Sequence, residues 1–155
     1  MMKALLQLFL VALPAYAQKV LGAQAEGGEQ LMVPGFRSNS SYVGAGALRY
    51  VFVEATAAGR ANRVVTAPNT TALLGVMQND PGIDEAMSIA YAGRSKVVAG
   101  GVIAANAIIT TQSGTGRAAV ASSGDLAAGR ALEAAGANGD VISALLFHPV
   151  RWSGV

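Results

Sequence analysis

A chain of 155 residues suits one compact domain plus an arm, because a core becomes comfortably stable at roughly 100 residues. Charged residues make up 13% and apolar ones 52% of it, so little surface is wetted by ionised groups, which points to burial against another protein. The net charge of +2 comes from Lys and Arg placed singly, which argues against a phosphate-tracking footprint and hence against nucleic acid; without cysteine there is no disulfide framework and no thiolate chemistry.

The N-terminus opens with Met1-Met-Lys3, an apolar stretch from Ala4 to Leu13, Pro14 and then Ala15-Tyr16-Ala17. That order matches a secretory signal cleaved before Gln18, and gives one reading: a secreted or periplasmic small β-domain. Retained, the segment is too short to cross a bilayer, which takes about 20 apolar residues, so no membrane partner is expected. Leu5, Leu6, Phe9, Leu10 and Leu13 then form a helical stripe able either to bury itself on a neighbouring subunit or to cap the chain's own barrel. From Gln18 to Gly46 turn formers replace periodicity, including Val33-Pro-Gly-Phe-Arg-Ser-Asn-Ser-Ser-Tyr42. So long an irregular stretch is anomalous inside a compact domain. Residues 1–46 are therefore expected to form an extended, partly helical arm, anchored on a partner by Leu5, Phe9, Leu13, Val33, Phe36 and Tyr42.

From Ala47 the pattern becomes β-prone. Ala47–Val53 sets Leu48, Tyr50 and Phe52 on one face and Arg49, Val51 and Val53 on the other. Further strand-like runs read Leu73–Met77, Met87–Tyr91, Lys96–Gly101, Ala107–Thr111, Arg117–Ala121, Gly129–Glu133 and Asp140–Leu146, with glycine, proline and asparagine turns between them. Turns at about 8–15-residue spacing mark an all-β domain, a small β-barrel or β-sandwich over residues 47–155. Asn138-Gly139 predicts a two-residue hairpin turn leading into the last strand. Tyr50, Phe52, Leu73 and Leu145 are expected to fill the interior.

Chemistry-bearing constellations are sparse. His148 is the single histidine and reads as a surface or interface residue. Asp80, Asp84 and Glu85 cluster around Pro81-Gly82, but their spacing lacks the alternating ligands of a calcium loop, and a turn explains it. Gly44-Ala-Gly46 and Ser113-Gly-Thr-Gly116 lack the residues that complete a dinucleotide fingerprint or a phosphate loop. Asn39-Ser-Ser41 and Asn69-Thr-Thr71 fit glycosylation sequons, which matter only in a eukaryotic secretory route. No acid, base and nucleophile set can be assembled, so neither catalysis, a cofactor nor a metal is expected. Trp152, next to Arg151 beyond the last strand, reads either as an interface anchor or as a cap on the domain's own end.

Gly75-Val-Met-Gln-Asn-Asp-Pro-Gly82, Lys96-Val-Val-Ala-Gly-Gly101, Gly129-Arg-Ala-Leu-Glu-Ala-Ala135, Asn138-Gly-Asp140 and Ile142–Leu146, in that order, resemble the capsid cement, or decoration, proteins of tailed bacteriophages. The resemblance spans roughly Val51 to Phe147 and rests on the order of ordinary turn and strand elements. It implies a small β-barrel domain on the outer surface of the phage head, commonly a homotrimer, that bridges major capsid proteins against the pressure of packaged DNA. It carries no catalytic residues. The 46-residue N-terminal extension departs from shorter members of that family.

Overall fold

The computed structural model describes residues 30–39, 49–57, 59–63 and 72–154. Leu5, Phe9, Leu13 and Tyr42 lie outside the described residues, as does the stretch expected to be helical. Among the described residues there is no helix, and the fold they form is all-β.

Among the described residues ten strands follow one another: β1 (Leu31–Val33), β2 (Arg37–Ser38), β3 (Phe52–Ala57), β4 (Arg60–Arg63), β5 (Leu73–Met77), β6 (Ile89–Val98), β7 (Ile108–Thr111), β8 (Ala118–Val120), β9 (Leu126–Ala131) and β10 (Val141–Arg151). They make one open sheet in the order β2-β4-β3-β5-β6-β10-β9-β7-β8, with β1 paired to β6 off that path. All ladders are antiparallel except β2–β4. The β8 end curls back: Ala99 and Ala118 form an isolated parallel bridge, and Gly100 N donates to Ala118 O at 2.8 Å.

β5 coincides with its expected run, and β7, β8 and the first half of β10 fall inside theirs. Two other expected runs, Met87–Tyr91 and Lys96–Gly101, belong mostly to a single ten-residue strand, β6. The reason is a bulge. From Leu31 to Met32 the partner on β6 moves two residues, from Ala92 to Ala90, and Gly93 follows with φ 94°. The extra residue flips the alternation, so Ala90 and Val97, an odd number of positions apart, share one core cluster.

Both faces of the sheet are covered near its middle. Phe52 joins Leu73, Val76, Ala90, Val97, Ile109, Ile142 and Leu146 in the larger cluster. Its neighbours Val51 and Val53 point the other way, into a second cluster with Met77, Met87 and Ile89. β3 is thus buried on both sides: Val51 and Val53, which the alternation sets on the face of Arg49, are enclosed as fully as Phe52. Val33 and Phe36 pack on the second cluster, inside the stretch read as arm. Main-chain bonds fix them there: Ser38 N donates to Glu85 O at 2.9 Å, Asp84 N to Ser38 O at 3.0 Å and Met87 N to Phe36 O at 3.0 Å.

Two expectations are corrected. Leu145, assigned to the interior, is 46% exposed, while Ala144 and Leu146 on either side of it are buried; pairing to Arg94 and Arg130 fixes it on the outward face. Asn138-Gly139 does not form a two-residue primed turn: type I′ needs positive φ at both central residues and type II′ at the first, and only Gly139, the second, has it. Ala131 already pairs with Ala144, so the connection runs from Leu132 to Asp140. Its end is tied by the Asp140 carboxylate, which accepts from Gly136 N at 2.8 Å and Ala137 N at 2.9 Å.

Thr111 is fully buried, and its hydroxyl oxygen has no hydrogen-bond partner among the described residues. A buried, unpaired hydroxyl costs about 1–3 kcal/mol of desolvation. Thr111→Val keeps the shape and removes that cost. We expect stability in urea unchanged or raised by about 1 kcal/mol; a clear loss would mean that the hydroxyl has a partner.

Candidate interaction surface

The open face of the β6–β10–β9–β7 region is set by register. Arg94 lies opposite Leu145, Leu145 opposite Arg130, and Arg130 opposite Ile108. Directly paired residues point to the same side of a sheet, so these four form one row across four strands. The two arginines stand two strand spacings apart, about 10 Å. Lys96, two residues from Arg94 and opposite Ser143, extends the row along β6. Arg94, Lys96 and Arg130 are exposed, as are Leu132, Val141 and Leu145. Cations placed singly in the sequence thus share one surface with large apolar side chains.

Glu133 is the acid at this face. Its Oε2 accepts from Ser143 N at 2.9 Å. That hydrogen bond, then the one from the Ser143 hydroxyl, holds the carboxyl below its ordinary pKa, and the charges of Lys96 and Arg94 add to the effect. A depressed folded pKa stabilises above the unfolded value and is lost as pH falls through the folded one. Glu133→Gln is therefore expected to lower stability at neutral pH by an amount that does not change between pH 6 and 8. The difference from wild type should shrink once the pH falls into and below the ordinary carboxylate range. Parallel urea titrations at several pH values measure this; a difference independent of pH down to strong acid would contradict it.

A second concavity lies where β6 changes partners. β10 pairs with Gly93–Val98 and β1 with Ile89–Ala92, and beyond Leu146 β10 follows β9 with a register shift before Val150. Pro149, which has no N–H to give to a ladder, sits in that shift. The fork leaves an apolar groove of about 340 Å³ lined by residues including Met32, Val33, Leu73, Leu74, Tyr91 and His148. His148 is exposed, with Nδ1 at 3.2 Å from Pro149 O.

The acids around Pro81-Gly82 are engaged in folding contacts. Asp80 accepts from Arg49 at 2.6 Å, Asp84 pairs with Arg60, and Glu85 accepts from Gly82 N at 2.7 Å. Among the described residues no three His, Asp or Glu side chains are grouped to hold a metal ion. Of the expected contact residues, Val33 and Phe36 face their own sheet. Trp152 is half-buried at the end of β10, where its N donates to Asp125 O and its O accepts from Gly124 N, both at 2.8 Å. Its main chain thus clasps the turn before β9. The structure does not bring Val33, Phe36 and Trp152 into one site. Nor did the sequence mark Arg94, Lys96 and Arg130 as a group; the signal was the alternation Arg94-Ser95-Lys96, and only strand order adds Arg130.

No protein-family model matches the chain, and no curated protein matches it.

Proposed function

We propose that this chain is a capsid cement protein of a tailed bacteriophage. It binds the outer surface of the head and bridges major capsid proteins, stabilising the shell against packaged DNA. The observation that carries the reading is the ordered set of segments resembling that family. They map onto consecutive parts of the sheet: β5 with its following loop, the second half of β6, the end of β9 and the first half of β10. The curl that returns β8 to the end of β6 favours a barrel-like form for that half.

The working form is a homotrimer. Three modest footprints engaged at once hold far more tightly than one, provided the geometry lets all three reach the shell. Leu5, Phe9, Leu13 and Tyr42 serve as capsid or inter-subunit contacts of the arm, and the half-exposed Trp152 as a contact of the domain. The protein acts without cofactor or catalysis.

The test is sedimentation of the purified full-length chain with expanded, empty phage heads stripped of their decoration. Saturable co-sedimentation at a fixed ratio to the major capsid protein, with raised resistance of the heads to heat, is expected. Absence of binding by a trimeric, folded chain would overturn the reading.

A further inference from the structure

The row Arg94–Leu145–Arg130 is an unusual thing to leave open. Leu145 is 46% exposed between two guanidinium groups, with Val141 (50%) and Leu132 (41%) beside it. Lys96 adds a third cation, and Glu133 is the single acid of this face among the described residues, already engaged by Ser143. Burying exposed leucine and valine against a partner would gain free energy that the folded chain alone does not collect, and contiguous apolar side chains beside arginine mark protein contacts.

We propose that this face docks on an acidic, partly apolar surface of a different protein. Arg94, Arg130 and Lys96 meet its carboxylates while Leu145, Val141 and Leu132 are covered. The face belongs to β6, β9 and β10, strands anchored in the core, so it is presented with little ordering cost.

Charge decides the occupant. Two copies of this face would repel one another. Elsewhere on the described chain every acid is already occupied: Asp80 and Asp84 in ion pairs, and Glu85, Asp125 and Asp140 by main-chain N–H groups. Glu54 is buried and also has a partner. A second copy therefore offers no free carboxylate cluster among the described residues. Nucleic acid is disfavoured because no aromatic side chain stands in the row to stack on a base, and two of its four members are aliphatic.

Under the cement reading the partner is the major capsid protein, and the identity of the partner, though not the chemistry of the face, rests on that reading. Two measurements separate them. First, the full-length chain and its Arg94→Glu/Arg130→Glu variant, matched in thermal stability because both side chains point outward, are titrated against stripped heads. Second, both are titrated by NMR with a peptide alternating Glu and Leu, and with oligothymidylate.

The variant should bind heads at least about tenfold more weakly, since like charges now oppose one another. Wild-type binding should also weaken with salt. Equal binding of heads by both proteins would overturn the face and leave the cement reading intact. If the wild type fails to bind heads, that reading falls and the peptide decides. Shifts concentrated at Arg94, Lys96, Arg130 and Leu145, lost in the variant, uphold the face. Absence of such shifts, or the same shifts at lower concentration of oligothymidylate, overturns it.

Discussion

Gly75→Ala is expected to be more damaging than a methyl group added at any other glycine whose surroundings the structure describes. Gly75 lies in β5, flanked by β3 and β6, with Val53 as its partner, and has φ 150°. A Cβ there would stand 2.3 Å from the main-chain O of Ala90 and 2.9 Å from its carbonyl carbon. The obstacle is backbone in the middle of a paired strand, so it cannot swing aside as a flexible side chain would. Overpacking costs about 1–3 kcal/mol, and holding a non-glycine residue at that φ costs a similar amount. A combined loss of about 2–6 kcal/mol corresponds to a fall in Tm of roughly 8–24 °C for a domain of this size. Gly101→Ala is the matched control, because nothing lies within 4 Å of its added Cβ; it should change stability by less than about 0.5 kcal/mol. Equal effects from the two substitutions would contradict the strand packing described for β5.

Phe52→Ala should be nearly as severe. Phe52 is 1% exposed, among the largest fully enclosed side chains, and its N donates to Gly116 O at 2.7 Å. It therefore joins β3 to the turn between β7 and β8. Removing a buried phenyl ring typically costs about 3–5 kcal/mol through lost transfer energy and the cavity left behind. Against a total stability of about 5–15 kcal/mol, that brings the domain close to unfolding. Phe52→Leu refills most of the space and should cost about half as much. Urea denaturation of the three proteins measures the series; a loss below about 1 kcal/mol for the alanine variant would mean that the larger cluster is not sealed at Phe52.

The all-β class was legible because turn residues recur at short, even spacing and helical periodicity is missing over residues 47–155. What alternation could not give was any strand interrupted by a bulge. Around Ala90–Gly93 one extra residue reverses the faces of β6, so a period-two reading breaks one strand into two. A wider irregularity, in which β10 takes four steps from Leu146 to Val150 against two on β9 and which contains Pro149, hid the second half of β10. Leu145 was misplaced for a related reason. Leu145 and Leu146 are equally apolar, and which of them enters the core depends on register to β6 and β9, which is not local information. Asn138-Gly139 carried a strong hairpin signal, but Asp140 caps the main chain of Gly136 and Ala137 and makes a longer loop.

The candidate interaction face was the least legible part. Arg94, Lys96 and Arg130 look scattered along the chain, and they become neighbours only because β10 lies between β6 and β9. Apolar composition gave a truer signal: Leu132, Val141, Leu145 and Val150 are all exposed at 41% or more, as expected of a chain whose apolar content exceeds what one core absorbs. Val33 and Phe36 show the opposite case. Surrounded by turn residues, they read as arm, yet they cover the second cluster because the loop around Asp84 and Glu85 holds their main chain.

As a capsid cement protein, this chain would be built into the phage head. The most direct measurement is intact-mass spectrometry of purified virions, with the copy number set against the major capsid protein. The cement reading predicts a chain beginning at Met1 or Met2, present in a fixed, near-stoichiometric ratio and accessible to surface labelling of intact particles. A chain beginning at Gln18, found in a periplasmic or secreted fraction and missing from virions, would contradict it and make the first seventeen residues an export signal.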